Sequence, residues 1–150
     1  IDPVARRDLW NLLFDLAGQG VTVFVTTHYM DEAERCSHVG YIYFSKLMAQ
    51  GSPHDLKLLP DITPPNTMRL QVKCTNLVGA MQGIMDLEYV RDVTIFGDSL
   101  HVLTDTGAES RIADDLSRSG YPPTEVSAIS PTLEDVFVTL TRLHARKQNV

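Results

Sequence analysis

Pro60 to Asn66 (PDITPPN) constrains this chain more than any other stretch. Each of its three prolines lacks an amide donor, fixes φ, and pushes the residue before it out of the helical region. Neither a helix nor a paired strand can run through it, and the hydrophobic pattern changes across it. The segment therefore predicts a linker at 60–66 between a first unit at 1–59 and a second at 67–150. With 150 residues the chain can form one ordinary domain or two small ones, and either can bury a core.

Before the linker, helix and strand signals alternate. Asp2 is a good N-cap, and Pro3 suits the first helical position. Val4, Leu9, Leu12, Leu13 and Leu16, widened by Trp10 and Phe14, predict a helix with a broad buried face, ended by Gly18 and Gly20. The β-branched run Val21 to Thr26, set between glycine and a polar loop, predicts a buried strand. A short acidic helix follows near Met30 to Cys36, with Asp31, Glu32 and Glu34 read as its solvated first turn. Val39–Phe44 and Leu47–Gln50 predict a hairpin. Ser52, Pro53 and Asp55 then predict a capped short helix through Leu59.

Beyond the linker, Met68, Leu70 and Val72 alternate with Arg69, Gln71 and Lys73, as in a half-buried strand with its polar side chains toward water. Asn76 caps a helix whose glycines, Gly79 and Gly83, would let it lie close to a sheet. Val90–Phe96 and Ser99–Thr104 flank Gly97-Asp98, a two-residue hairpin turn with glycine first. Thr106 is expected to cap the next helix, Thr124–Ile129 to form a fourth strand, and Ser130-Pro131 to cap a last helix. That helix places Glu134 and Asp135 in its first turn and Arg142, Arg146 and Lys147 in its last, as the helix dipole favours. The order βαββαβ plus a terminal helix predicts a ferredoxin-like split βαβ unit.

Charge and composition remove several function classes. The net charge is −6, against the basic face of a nucleic-acid module, so no nucleic acid is expected as partner. Cys36 and Cys74 form neither a disulfide framework nor a zinc spacing, which fits a reducing compartment. No apolar run approaches the ~20 residues of a membrane span, and the opening Ile-Asp-Pro does not read as a signal peptide, so none is expected. A start at Ile1 rather than Met suggests a piece of something longer. Among candidate chemical groups, His28 stands out, because it follows Thr26-Thr27 at the carboxyl end of an expected strand, where ligands bind in open α/β sheets. His28, Glu32, Cys36 and His38 are each legitimate metal ligands, but their spacing matches no zinc pattern, and no metal site is expected. No GxSxG elbow is present.

Three stretches together resemble the end of an ABC transporter nucleotide-binding domain of the ABC-2 or drug-exporter type. Ile1-Asp2-Pro3 resembles the D-loop, with Asp2 as its aspartate. Thr27-His28, leading into Met30-Asp-Glu-Ala-Glu-Arg-Cys36, resembles the switch (H-loop) motif. Gly51-Ser52-Pro53 with Asp55-Leu56 matches the G-x-P-x-x-L segment that closes this core, and Ser130 to Phe137 (SPTLEDVF) resembles the group's closing P-S-L-E-D-V-F signature.

The resemblance implies an α/β fold: the C-terminal part of a P-loop ATPase domain at 1–59, followed by a small accessory or regulatory domain. It implies that His28 contacts the γ-phosphate of ATP and helps hold the attacking water, and that Asp2 communicates across a nucleotide-sandwich dimer. The partners implied are a second nucleotide-binding subunit and transmembrane permease subunits, and the location is the cytoplasmic face of the membrane. The phosphate-cradling GxxxxGK[ST] loop, the Q-loop, the LSGGQ signature and the metal-binding strand are absent from these 150 residues. ATP and Mg2+ are therefore expected to serve the complete protein, and the 150 residues alone are expected to bind neither and to be inactive. The alternative reading is a stand-alone regulatory, dimerisation or ligand-sensing module without ATPase activity.

Overall fold

The computed structural model describes residues 2–148, with side chains through residue 145; Ile1 and the side chains of Arg146 and Lys147 lie outside them. Helix α1 (Pro3–Gly18) is opened by Asp2, whose carboxylate accepts from the Ala5 amide at 3.2 Å. The broad buried face expected of it is not covered. Trp10 is its buried residue, at 6% exposure, while Val4, Leu9, Leu12 and Phe14 face solvent. The run after it, expected as a buried strand, is assigned to no strand, and Phe24 is 92% exposed. An extended segment becomes a strand only when a neighbour supplies ladder partners. Among the described residues none lies alongside it.

Helix α2 (Met30–Ala33) is a single turn. Strands β1 (Val39–Tyr43) and β2 (Lys46–Gly51) pair as an antiparallel hairpin whose turn holds Phe44 and Ser45 at φ +45° and +58°. Helix α3 (Pro53–Lys57) has the expected cap, Ser52 Oγ accepting from the Asp55 amide at 3.1 Å.

The second half forms one four-stranded sheet in which every pairing is antiparallel. Its strands are β3 (Thr67–Lys73), β4 (Val90–Phe96), β5 (Ser99–Asp105) and β6 (Glu125–Ile129), in the order β4-β5-β3-β6. The β4–β5 turn runs through Gly97 at φ +55°, as expected. Helices α4 (Leu77–Ile84) and α5 (Glu109–Arg118) pack against the sheet, burying Ala80, Ile84, Ile112 and Leu116 on Leu70, Val72, Leu100 and Val102. Asn76 caps α4 through the Gly79 amide at 2.9 Å. The glycines of α4 approach Tyr121 and Ser119, which follow α5, rather than the sheet. Thr106 does not cap α5. Gly107, at φ +85°, turns the chain between them, and Ala108 takes the N-cap without a side-chain bond.

Helix α6 (Leu133–Gln148) begins with a reciprocal cap. The Asp135 amide donates to Thr132 Oγ1 at 3.2 Å, and the Thr132 amide donates to Asp135 Oδ2 at 2.8 Å. The cap is thus Thr132 rather than Ser130, because the carboxylate three residues on lies opposite Thr132. Leu133, Val136 and Leu140 join Leu56 and Ile62 in a second core, with Met30, Ala33, Val39, Tyr41, Ala49 and Leu59 packed around them. The last helix is therefore packed on the first sixty-odd residues. Its start covers a face of the sheet as well. Arg69, on the polar phase of β3 and expected in water, is buried, with Nη1 3.1 Å from Asp135 Oδ1 and side-chain exposures of 4% and 1%. The same carboxylate faces His101 Nδ1 at 3.0 Å.

Candidate functional site

The first turn of α1, the end of the 21–27 segment and α2 meet at one carboxylate. Thr27 Oγ1 donates to Glu32 Oε2 at 2.5 Å and itself accepts from the Tyr29 amide at 3.0 Å. Arg6 Nε donates to the other oxygen, Oε1, at 2.6 Å, its Nη2 reaches Asp31 at 3.3 Å, and its guanidinium lies 4.4 Å from the Tyr29 ring centroid. A hydroxyl and a cation on one carboxylate stabilise its charged form. The Glu32 carboxyl is accordingly held below its ordinary range, first by Thr27 and then, against the opposing effect of burial, by Arg6. The acidic residues read as a solvated turn are in fact engaged. Glu34 continues the pattern, accepting from Lys57 Nζ at 2.7 Å and from the Leu133 amide at 3.3 Å.

This clamp fixes the loop that carries His28. Its ring is exposed and lies 4.2 Å from the Tyr29 ring, and among the described residues it makes no hydrogen bond. Both imidazole nitrogens are therefore open to a ligand. Asp2 is also exposed and is used in capping α1. The structure brings together the elements bearing these two residues, through Arg6 one turn beyond Asp2, but among the described residues no bond joins Asp2 to His28. Glu32, a candidate metal ligand, has both oxygens occupied by Thr27 and Arg6. The Cys36 thiol is pushed up by burial, away from the thiolate a metal would need. Among the described residues no group of three His, Cys, Asp or Glu side chains is placed to hold a metal.

Arg6 is the residue that reading the sequence missed. It lies on the polar side of an amphipathic helix, 25 and 26 positions from Asp31 and Glu32, and no local pattern pairs residues so far apart.

The chain matches no family model. Nod factor export ATP-binding protein I of Rhizobium sp. (strain N33) is 30% identical over 147 residues, 94% of this chain and 43% of that protein. The probable multidrug ABC transporter ATP-binding protein YbhF of Escherichia coli (strain K12) is 51% identical over 57 residues, 38% of this chain and 10% of that protein. This chain is a homologue of the ATP-binding proteins of ABC exporters. It spans less than half the length of these relatives. The longer match leaves out only 6% of the chain, so the homology extends across both sides of the proline segment.

ABC ATP-binding homologues imply ATP and Mg2+. The 150 residues present do not by themselves build that site. They contain no phosphate-cradling glycine loop with its lysine, and the side chains around the clamp offer one open imidazole, with Asp31, Glu32 and Glu34 already paired.

Proposed function

We propose that this chain is the C-terminal part of the ATP-hydrolysing subunit of an ABC-type exporter, which couples ATP binding and hydrolysis to transport. Residues 1–59 end the nucleotide-binding domain, 60–66 link it onward, and 67–150 are an accessory or regulatory unit of ferredoxin-like βαββαβ type. The sheet order β4-β5-β3-β6, with all pairs antiparallel and α4 and α5 packed against it, supports that last reading. In the complete protein His28 meets the terminal phosphate of ATP, and Asp2 faces a second nucleotide-binding subunit. ATP and Mg2+ bind through residues of that protein outside this chain. Permease subunits are the membrane partners, and the subunit works at the cytoplasmic face. No helix among the described residues is long and apolar enough to cross a membrane.

One observation carries the reading: the clamp of Thr27, Glu32 and Arg6 immobilises the loop of a histidine whose own nitrogens are unspent. Phosphoryl transfer depends on positioning and charge stabilisation, which a fixed donor supplies and a mobile one does not. The test is His28→Ala in the full-length protein. Loss of one preorganised donor is expected to lower kcat for ATP by roughly 100-fold or more. Turnover near that of the unmutated protein would refute the switch assignment.

A further inference from the structure

Helix α2, which directly follows His28, is one turn long and has no side-chain N-cap. An isolated turn of helix does not hold itself together in water, so its neighbours determine its position. On one side stands the clamp with α1. On the other, Glu34 just after α2 accepts from the Leu133 amide at the start of α6 at 3.3 Å, while Met30 and Ala33 pack into the core built on Leu133 and Val136. That same start of α6 is tied to the four-stranded sheet. Asp135, 1% exposed, takes bonds from Arg69 on β3, His101 on β5 and the hydroxyl and amide of Thr132. Arg69 Nη2 also donates to the Ile62 carbonyl at 3.3 Å, at the edge of the linker. The first turn of α6 thus lies between the sheet and the switch loop and bonds to both. Among the described residues the ion-pair partner of Arg69 is Asp135, and removing one partner of a buried pair leaves an uncompensated charge, so sheet and helix start are held as one piece.

We propose that the N-terminal turn of α6 is the joint through which the second unit positions the His28 loop, with Asp135 and Glu34 as its two positioning residues. The link to hydrolysis rests on the reading of His28 as the switch histidine; the mechanical link does not. Because coupling between two sites is reciprocal, whatever is bound at the switch loop also biases the sheet.

The test uses the full-length protein with Asp135→Asn and Glu34→Ala, singly and together, beside His28→Ala. Hydrogen exchange reads the amides of residues 29–36, and steady-state kinetics reads kcat and KM for ATP. In Asp135→Asn, exchange at 29–36 is expected to rise roughly three- to tenfold, with the β1–β2 amides unchanged. kcat is expected to fall several-fold at constant KM. Glu34→Ala does the same, and the double variant is no worse than the poorer single one, since both break one joint. Exchange at 29–36 equal to that of the unmutated protein in both single variants overturns the proposal. If Asp135→Asn loosens the hairpin and sheet as well, Glu34→Ala decides, because its partly exposed side chain is not a core group. Raised exchange with unchanged kcat, while His28→Ala is slow, overturns the positioning role. If His28→Ala turns over normally, the switch reading has failed, and exchange alone decides whether the joint exists.

Discussion

Gly79 is where a single methyl group is most costly. A Cβ built on it would stand 2.4, 2.5 and 2.8 Å from Cε1, Cζ and Oη of Tyr121, whereas carbon atoms in contact lie about 3.5–4.0 Å apart. The Tyr121 ring must therefore move by roughly 1 Å. Its backbone cannot follow, since its amide is bonded to the Leu116 carbonyl at 2.9 Å and the ring packs on the sheet–helix core. Overpacking of this kind costs about 1–3 kcal/mol. A ring displacement of roughly 1 Å puts the clash in the upper half of that range, and alanine recovers about 0.5–1 kcal/mol of helix propensity, leaving a net loss of about 1–2.5 kcal/mol for Gly79→Ala. At this chain length that lowers Tm by roughly 2–10 °C. Urea unfolding of Gly79→Ala, Tyr121→Ala and the double variant measures it. The expected coupling is favourable, because removing the ring removes the clash. A Gly79→Ala protein as stable as the unmutated one, or a penalty undiminished in the Tyr121→Ala background, would refute the steric argument.

Acid should loosen the clamp beside His28. The folded pKa of Glu32 lies below its unfolded value, so its contribution is complete above about pH 4.3 and is lost as pH falls through the lower folded value. Glu32→Gln should remove that dependence from the thermal unfolding profile; an unchanged acid limb would show that the clamp contributes nothing. At the hairpin turn, Ser45 holds φ +58° without a glycine, so Ser45→Gly should raise stability by up to about 1 kcal/mol in urea. A lower unfolding midpoint would show that the turn carries no such strain.

Local chemistry was legible in the residues themselves. Asp2, Ser52 and Asn76 cap the helices they were expected to cap, because capping involves only neighbours within three positions. The same holds for the Gly97-Asp98 hairpin and for the apolar phase of β3. What failed depends on distant partners. The Val21–Thr26 run has strand composition but no ladder neighbour among the described residues, and composition cannot supply one. Arg69 occupies a polar position in an alternating strand, yet it is buried because the start of α6, 66 positions away, brings Asp135 over it. Around His28, the motif was visible from its spelling, while its anchoring by Arg6 was visible only in space.

The placement of α6 also has a consequence for how the chain is made. The core around Leu56 and Ile62 is completed by Leu133, Val136 and Leu140, so it cannot close while the chain is still being synthesised through its middle. Met30, Val39, Tyr41 and Leu59 emerge before α6 and must wait with apolar surface uncovered until that helix leaves the ribosome. The sheet with α4 and α5 is complete by residue 129 and lacks then only the Asp135 contacts to Arg69 and His101, so it is free to fold first. Across these residues the order of folding then runs against the order of synthesis, and a chain stopped before residue 133 would leave residues 30–62 without the helix that covers them.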